Sequence, residues 1–169
     1  MFSNIRADIR AKQALYSQYG AKYSLLRTLL TDGSSANFLY RMQDWLSSKG
    51  GKLAGLVPHI LNKWINGCVI GIGAKFGPGF VLIHPVGVVI NAGVIGGRNI
   101  WLESGVVIGD NRGRSPSLGD YVFVGSGAKV IGGVSVRSKA KVGANAVVLC
   151  DVPEGCLAVG VPAKIKTPI

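Results

Sequence analysis

Two histidines and three cysteines are the side chains best suited to chemistry near neutral pH in this 169-residue sequence. His84 lies between Ile83 and Pro85 and is the one histidine of the second half of the chain. An imidazole titrates near neutrality, so it suits a general base that takes the proton of an attacking hydroxyl. A lone histidine is more often structural than catalytic, so residue type leaves both roles open. His59, in the first half, reads as structural. Cys68, Cys150 and Cys156 are odd in number and contain no C-x-x-C pair. Neither a zinc site nor any other metal site is expected, nor a disulfide framework, and free thiols fit a reducing compartment. One further stretch stands out, Gly109-Asp110-Asn111-Arg112-Gly113-Arg114-Ser115-Pro116-Ser117, which is polar and rich in turn formers. It reads as a loop with a functional role.

The elements that position these residues change character near residue 66. Before it, apolar residues recur at helical spacing. The clearest helix begins near Ser35 as N-cap and puts Phe38, Leu39, Met42, Trp45 and Leu46 on one face, with Gly50 or Gly51 as its stop. A second amphipathic stretch carries Leu56, Val57, Ile60, Leu61, Trp64 and Ile65, and shorter helices are expected over 5–16 and 23–30. The aromatics of this half read as core residues.

After residue 66 a six-residue period takes over. Stepping by six from Ile70 to Val148 meets fourteen positions, of which thirteen are apolar. Glycine follows at Gly71, Gly77, Gly119, Gly125 and Gly143. Such a hexapeptide repeat is the signature of a parallel β-helix, in which short strands turn one aliphatic side chain inward and stack it on its neighbours. An antiparallel sandwich would need hairpins and a period of two. The expected fold class is therefore mainly β. A small helical N-terminal domain over 1–65 precedes a β-helix of four to five coils with a C-terminal tail over 66–169. The one break in the column, Arg112, falls in the loop, and the register resumes at Leu118. Composition agrees: 48% hydrophobic residues, 8% aromatics and 25 glycines describe a core of aliphatic columns. They exclude a disordered chain, and the absence of a Gly-X-Y period excludes collagen. The net charge of +11 suits anionic partners, but the cations are scattered rather than run together. No nucleic-acid partner is expected, and peripheral contact with an anionic membrane is. The N-terminus has no signal-peptide core and no stretch approaches a membrane span, so a cytoplasmic location is expected.

The stretch from Gly71 to Lys164 contains Ile83-His84-Pro85-Val86-Gly87-Val88-Val89-Ile90, Val148-Leu149-Cys150-Asp151-Val152-Pro153 and Gly160-Val161-Pro162-Ala163-Lys164-Ile165. It resembles the serine acetyltransferase group of hexapeptide-repeat acyltransferases. That resemblance implies a left-handed winding and a homotrimer. It also implies acetyl transfer from acetyl-CoA to a hydroxyl, with His84 as general base. The coenzyme would lie between neighbouring prisms along Gly109, Ser126, Ala128, Ala144 and Lys164, with the Gly109 N–H helping to hold the oxyanion.

Departures from the family pattern bear on the acceptor. Val69 and Ile83 stand where serine-specific members carry aspartates, and Ser115 stands where they carry a second histidine. Asp8, Arg114 and Ser115 remain as acceptor contacts. An ammonium needs a carboxylate partner, so the losses point to a sugar hydroxyl, as in capsule or exopolysaccharide O-acetyltransferases. Serine O-acetylation is the alternative, and a non-catalytic trimeric scaffold the second. With Val69 in place, a backbone carbonyl, Glu103 or Asn66 is expected to hold the His84 tautomer.

Overall fold

The computed structural model describes residues 1–18 and 20–167. Four helices come first: α1 (Phe2–Gln18), α2 (Leu25–Leu29), α3 (Ser34–Ala54) and α4 (Leu56–Asn66). Fourteen short strands from Val69–Ile70 to Leu157–Val159 then wind through about four turns of a three-sided parallel solenoid. A last strand, Lys164–Lys166, pairs antiparallel with Leu157–Val159 and closes the far end.

Each face stacks one inward column. Ile70, Ile90, Ile108, Val130 and Val148 form one, and Leu82, Leu102, Val124, Val142 and Ala158 another. Residues two positions earlier, such as Val88, Val94, Ile100 and Val106, are buried as well. Each repeat therefore offers two inward sites. Up to Val148 the period of six has two irregularities. Leu82 to Ile90 spans eight residues, and Ile108 to Leu118 spans ten. The two extra residues fall at the His84 turn and the four others at the loop, so together they amount to one whole repeat. The counted register passes through both apparently unbroken, slipping from one inward site to the other between them. Arg112 sits at the loop's tip with φ of 54° beside Gly113 at 78°, and Asn111 and Arg114 pair across it.

A solenoid's first coil has no preceding coil to pair with, and its backbone polar groups need other partners. Helical side chains supply them. The Tyr40 hydroxyl donates to Ala74 O and accepts from Phe76 N, and Arg41 donates to Phe76 O and Gly77 O. Asn37 donates to Phe80 O and accepts from Leu82 N, and Gln43 donates to Ile70 O. Asp8 accepts from Gly79 N, Phe80 N and two Arg41 nitrogens. Beneath them Phe76 and Phe80 stack at 4.1 Å, with Tyr40 edge-on to both.

This capping turns the expected apolar face of α4 outward and overturns that of α3 in part, since Leu39 is buried and Met42 and Leu46 are half-buried. The buried side of α3 is Ala36, Asn37, Leu39, Tyr40, Arg41 and Gln43, whereas Phe38 and Trp45 are exposed. On α4 the buried residues are Pro58 and Asn62, and all six expected apolar residues face outward. The polar faces turn inward because the coil edge offers hydrogen bonds that an apolar face would leave unmade. Helix α3 begins at Ser34 behind Gly33, and Gly51 kinks it rather than ending it.

The buried pair of Asp8 and Arg41, 5% and 2% exposed, ties α1 and α3 to the first coil. Burial pushes the Asp8 carboxyl up from its ordinary range, and Arg41 with the two backbone N–H groups draws it back. Asp8→Ala leaves a buried guanidinium without its partner and is expected to cost about 3–5 kcal/mol in denaturant unfolding. Lys12 is buried in the same layer, and desolvation pushes its ammonium down to about 8, with Asp32 opposing. The folded chain releases this proton near pH 8, whereas the unfolded chain keeps it to about 10.5. Unfolding takes up a proton between those values, so this residue's contribution to stability rises with pH across that window. The Cys68 thiol, pushed up to about 12 by burial, acts in the opposite sense above its ordinary value. Unfolding measured at several pH values should show wild type gaining on Lys12→Met as pH rises from about 8 to about 10.

Candidate active site

His84 occupies the lengthened turn between the third and first faces of the prism, where Ile83 still belongs to the coil and Pro85 is buried. Its Nδ1 lies 3.2 Å from Asp32 Oδ2. A carboxylate only accepts, so this contact puts the ring's proton on Nδ1 and leaves the lone pair on Nε2. Both groups are open to solvent, His84 at 53% and Asp32 at 74%. They line a cavity of about 450 Å³ with Leu29, Leu30, Ile65 and Asn66.

Asp32 comes from the turn between α2 and α3, and three contacts hold that turn in place. Lys12 Nζ donates to the Asp32 carbonyl and to Ser34 Oγ, the latter at 3.1 Å. Ser34 Oγ donates to Thr28 O at 2.7 Å. Gly33, with φ of 78°, lies against the first coil so closely that a Cβ would sit 1.9 Å from Leu82 O. Only glycine fits, and that approach carries the neighbouring Asp32 over His84.

None of the three groups expected to orient His84 makes this contact. Asn66 lines the cavity, but its side chain accepts from Ser35 Oγ and donates to Asn62 Oδ1. Glu103 is half-buried in the next coil and does not line the cavity. Thr31-Asp32-Gly33-Ser34 is legible as a turn before a helix. Nothing in the linear pattern links it to a residue 52 positions away. Val69 is a half-buried strand residue paired with Val89. Ile83 is packed with Leu15 and Val81 in a small apolar cluster.

The edge of the prism that begins at His84 runs down through Val86, Ser104, Ser126 and Ala144, and the carbonyls of the first three each accept a backbone hydrogen bond from the next coil. Beside them stand Gly87, Gly105 and Gly127, so tightly superposed that a Cβ on Gly87 would lie 3.3 Å from Gly105 Cα. Below Val86 the edge is therefore mostly backbone and small side chains, with Lys129 Nζ donating to the Gly105 and Gly127 carbonyls. Ser126 and Ala144 are exposed on it. Its foot is formed by Gly160, whose carbonyl accepts from Val147 N, followed closely by exposed Lys164.

The other residues singled out from sequence fall elsewhere. Ala128 is fully buried, with its N–H and carbonyl both engaged, so it offers no group to a ligand. Gly109 ends a strand on the opposite side of the first face. Arg114 and Ser115 lie beyond it on that second edge, where Ser115 Oγ contacts Asn91 Oδ1 and Asp110 Oδ2. Asp8, expected as an acceptor contact, is sealed into the ion pair with Arg41 and does not line the His84 cavity. His59 Nδ1 lies 3.0 Å from Ile70 O, a place in the cap.

No family model matches the chain. Among curated proteins it is 39% identical over 143 residues to a serine acetyltransferase of Helicobacter pylori, covering 82% of this chain and 84% of that one. It is 32% identical over 170 residues to a serine acetyltransferase of Synechococcus elongatus, covering 98% of this chain and 68% of the other. Among solved structures, a serine acetyltransferase in complex with CoA superposes with a TM-score of 0.88 at 30% identity. That match covers 97% of this chain and 68% of the other. Gly33→Ala is expected to push the α2–α3 turn off the coil and part Asp32 from His84. Ring ¹⁵N shifts of His84 should then move towards the other tautomer while the far coils keep their spectra.

Proposed function

We propose, for a chain that belongs to the serine acetyltransferase family of hexapeptide-repeat enzymes, that it transfers an acetyl group from acetyl-CoA to the hydroxyl of serine. The observation that carries this reading is the His84–Asp32 pair at the head of an edge of backbone and small side chains. The relatives and the CoA-bound neighbour support both substrates. The sugar acceptor to which the sequence pointed has no such support.

His84 Nε2 takes the proton of the acceptor hydroxyl as its oxygen bonds to the thioester carbonyl carbon. Asp32 stabilises the imidazolium that results and keeps the ring from turning. The C–S bond then breaks, and the imidazolium returns the proton to the departing sulfur, which restores neutral His84. Acetyl and proton both balance, and no redox partner is needed. The coenzyme fits that edge, where Ser126 and Ala144 admit a pantetheine close to backbone and Lys164 offers a cation to its phosphates. One prism leaves that edge open to water, so a homotrimer that packs a neighbouring prism against it completes the groove. In such a trimer, the loop with Arg114, Ser115 and Gly109 on one chain is placed to meet the His84 edge of the next.

One observation favours a second reading, an acceptor hydroxyl without an ammonium. Ile83 is consumed by packing, and Asp32 is the one carboxylate lining the cavity among the described residues, already engaged by His84. Release of CoA thiol, measured across serine, other amino acids and a set of sugars, separates the two. Serine turnover is expected, and turnover of sugars alone would replace serine by an uncharged hydroxyl. His84→Ala is expected to lower kcat by about 100-fold or more. Asp32→Asn should lower it less and alter the pH profile. Undiminished transfer by His84→Ala would place the chemistry on another residue, and no transfer by the wild type to any acceptor would leave the scaffold reading.

A further inference from the structure

We propose that the outward face of α4 and α2 is a docking surface for an anionic lipid bilayer. On α4, Leu56, Val57, Ile60, Leu61, Trp64 and Ile65 are all exposed, and at about 100° per residue they cover half the helix circumference. A helix packed on one neighbour buries a narrower stripe. Here the inner half is already spent on α3 and the first coil: Pro58 and Asn62 are buried, Asn62 donates to Ala36 O, and His59 reaches Ile70 O. Leu53, 84% exposed, extends the patch at one end, and Trp64, 78% exposed, stands near the other. From α2 come Leu25, Leu26 and Leu29, with Leu30 just beyond. Leu29, Leu30 and Ile65 line one cavity, so the two elements form a continuous surface.

Charge selects the occupant. Residues 45–67 contain Lys49, Lys52 and Lys63 and no aspartate or glutamate, and α2 adds Arg27. Of the carboxylates at its margins, Asp32 at the cavity rim is engaged by His84 and Asp44 on α3 by Lys75. A second copy meeting this face through a two-fold axis would set lysine against lysine with nothing between. An anionic bilayer meets the same lysines with phosphates and accepts the leucines and the indole at its interface, as an amphipathic helix lying in the membrane plane does. Among the described residues no helix is long and apolar enough to cross a membrane, and the proposed contact is one of lying on the surface. Because the apolar face runs into the His84 cavity, docking brings the mouth of that cavity to the lipid interface. The inference stands apart from the identity of the acceptor.

The test uses the full chain with phosphatidylcholine vesicles that contain or lack phosphatidylserine. Wild type is expected to float with the anionic vesicles, with a blue shift of tryptophan emission that Trp64→Phe abolishes. Replacing Lys49, Lys52 and Lys63 together by Gln should weaken binding roughly 100-fold, at about fivefold per lysine. Ile60→Glu with Trp64→Glu should abolish it while the circular dichroism stays that of the wild type, since both residues are exposed. Failure of the wild type to float with anionic vesicles overturns the proposal, as does equal binding to neutral vesicles or by the Gln variant. Light scattering gives another overturning result. If the double Glu variant splits an oligomer while wild type ignores vesicles, a second copy covers this face.

Discussion

The rest of the structure depends on an unpaired edge. A parallel solenoid satisfies its backbone by stacking each coil on the last, and the first coil has nothing beneath it. Here Asp8, Asn37, Tyr40, Arg41 and Gln43 stand in for the missing coil, atom by atom. A set of buried polar and charged side chains is costly unless its members are paired, and here the pairing across the end of the prism leaves only Gln43 Oε1 without a partner among these five side chains. Helices and prism are joined by that layer more than by apolar packing. The aromatic cluster of Tyr40, Phe76 and Phe80 fills the space between.

Two consequences follow from capping with polar faces. First, the apolar side of α4 and part of that of α3 are left facing outward, so the helical half has surface to offer a partner. Second, the α2–α3 turn is brought to the rim of the first coil at the point where the chain makes its lengthened corner. That corner carries His84, and the turn delivers Asp32 to it across a Gly33–Leu82 contact that admits no side chain. A carboxylate from the cap thus faces the ring, where Val69 within the prism offers none. Orientation of the histidine and docking of the cap are one structural event. Lys12 links them further, as its buried ammonium holds the turn's carbonyl while spending its own solvation.

Much of this architecture was legible in the chain. The hexapeptide period identified the prism, its approximate length and its aliphatic columns, because stacking requires the same side-chain type at the same place in every coil. The change near residue 66 and the loop around Arg112 were legible for the same reason. The count concealed the extra residues at the His84 turn. Two inward sites per repeat are both apolar, and a slip from one to the other leaves no trace in a hydrophobic pattern. The face of α4 and part of that of α3 were misread because an amphipathic rule assumes a greasy partner, and the partner here is bare backbone.

The candidate site divides in the same way. Residue chemistry made His84 a candidate and the family resemblance gave it a role, as it did Ser126 and Ala144, which the repeat sets on a regular coil spacing. Tertiary structure decided that Asp32 rather than Asn66 or Glu103 faces the ring, that Asp8 is a structural ion pair, and that Ala128 is sealed in the core. The first two outcomes turn on which helix face meets the open coil. Hydrogen-bond satisfaction at a solenoid end settles that between residues dozens of positions apart, and one-dimensional spacing does not record it.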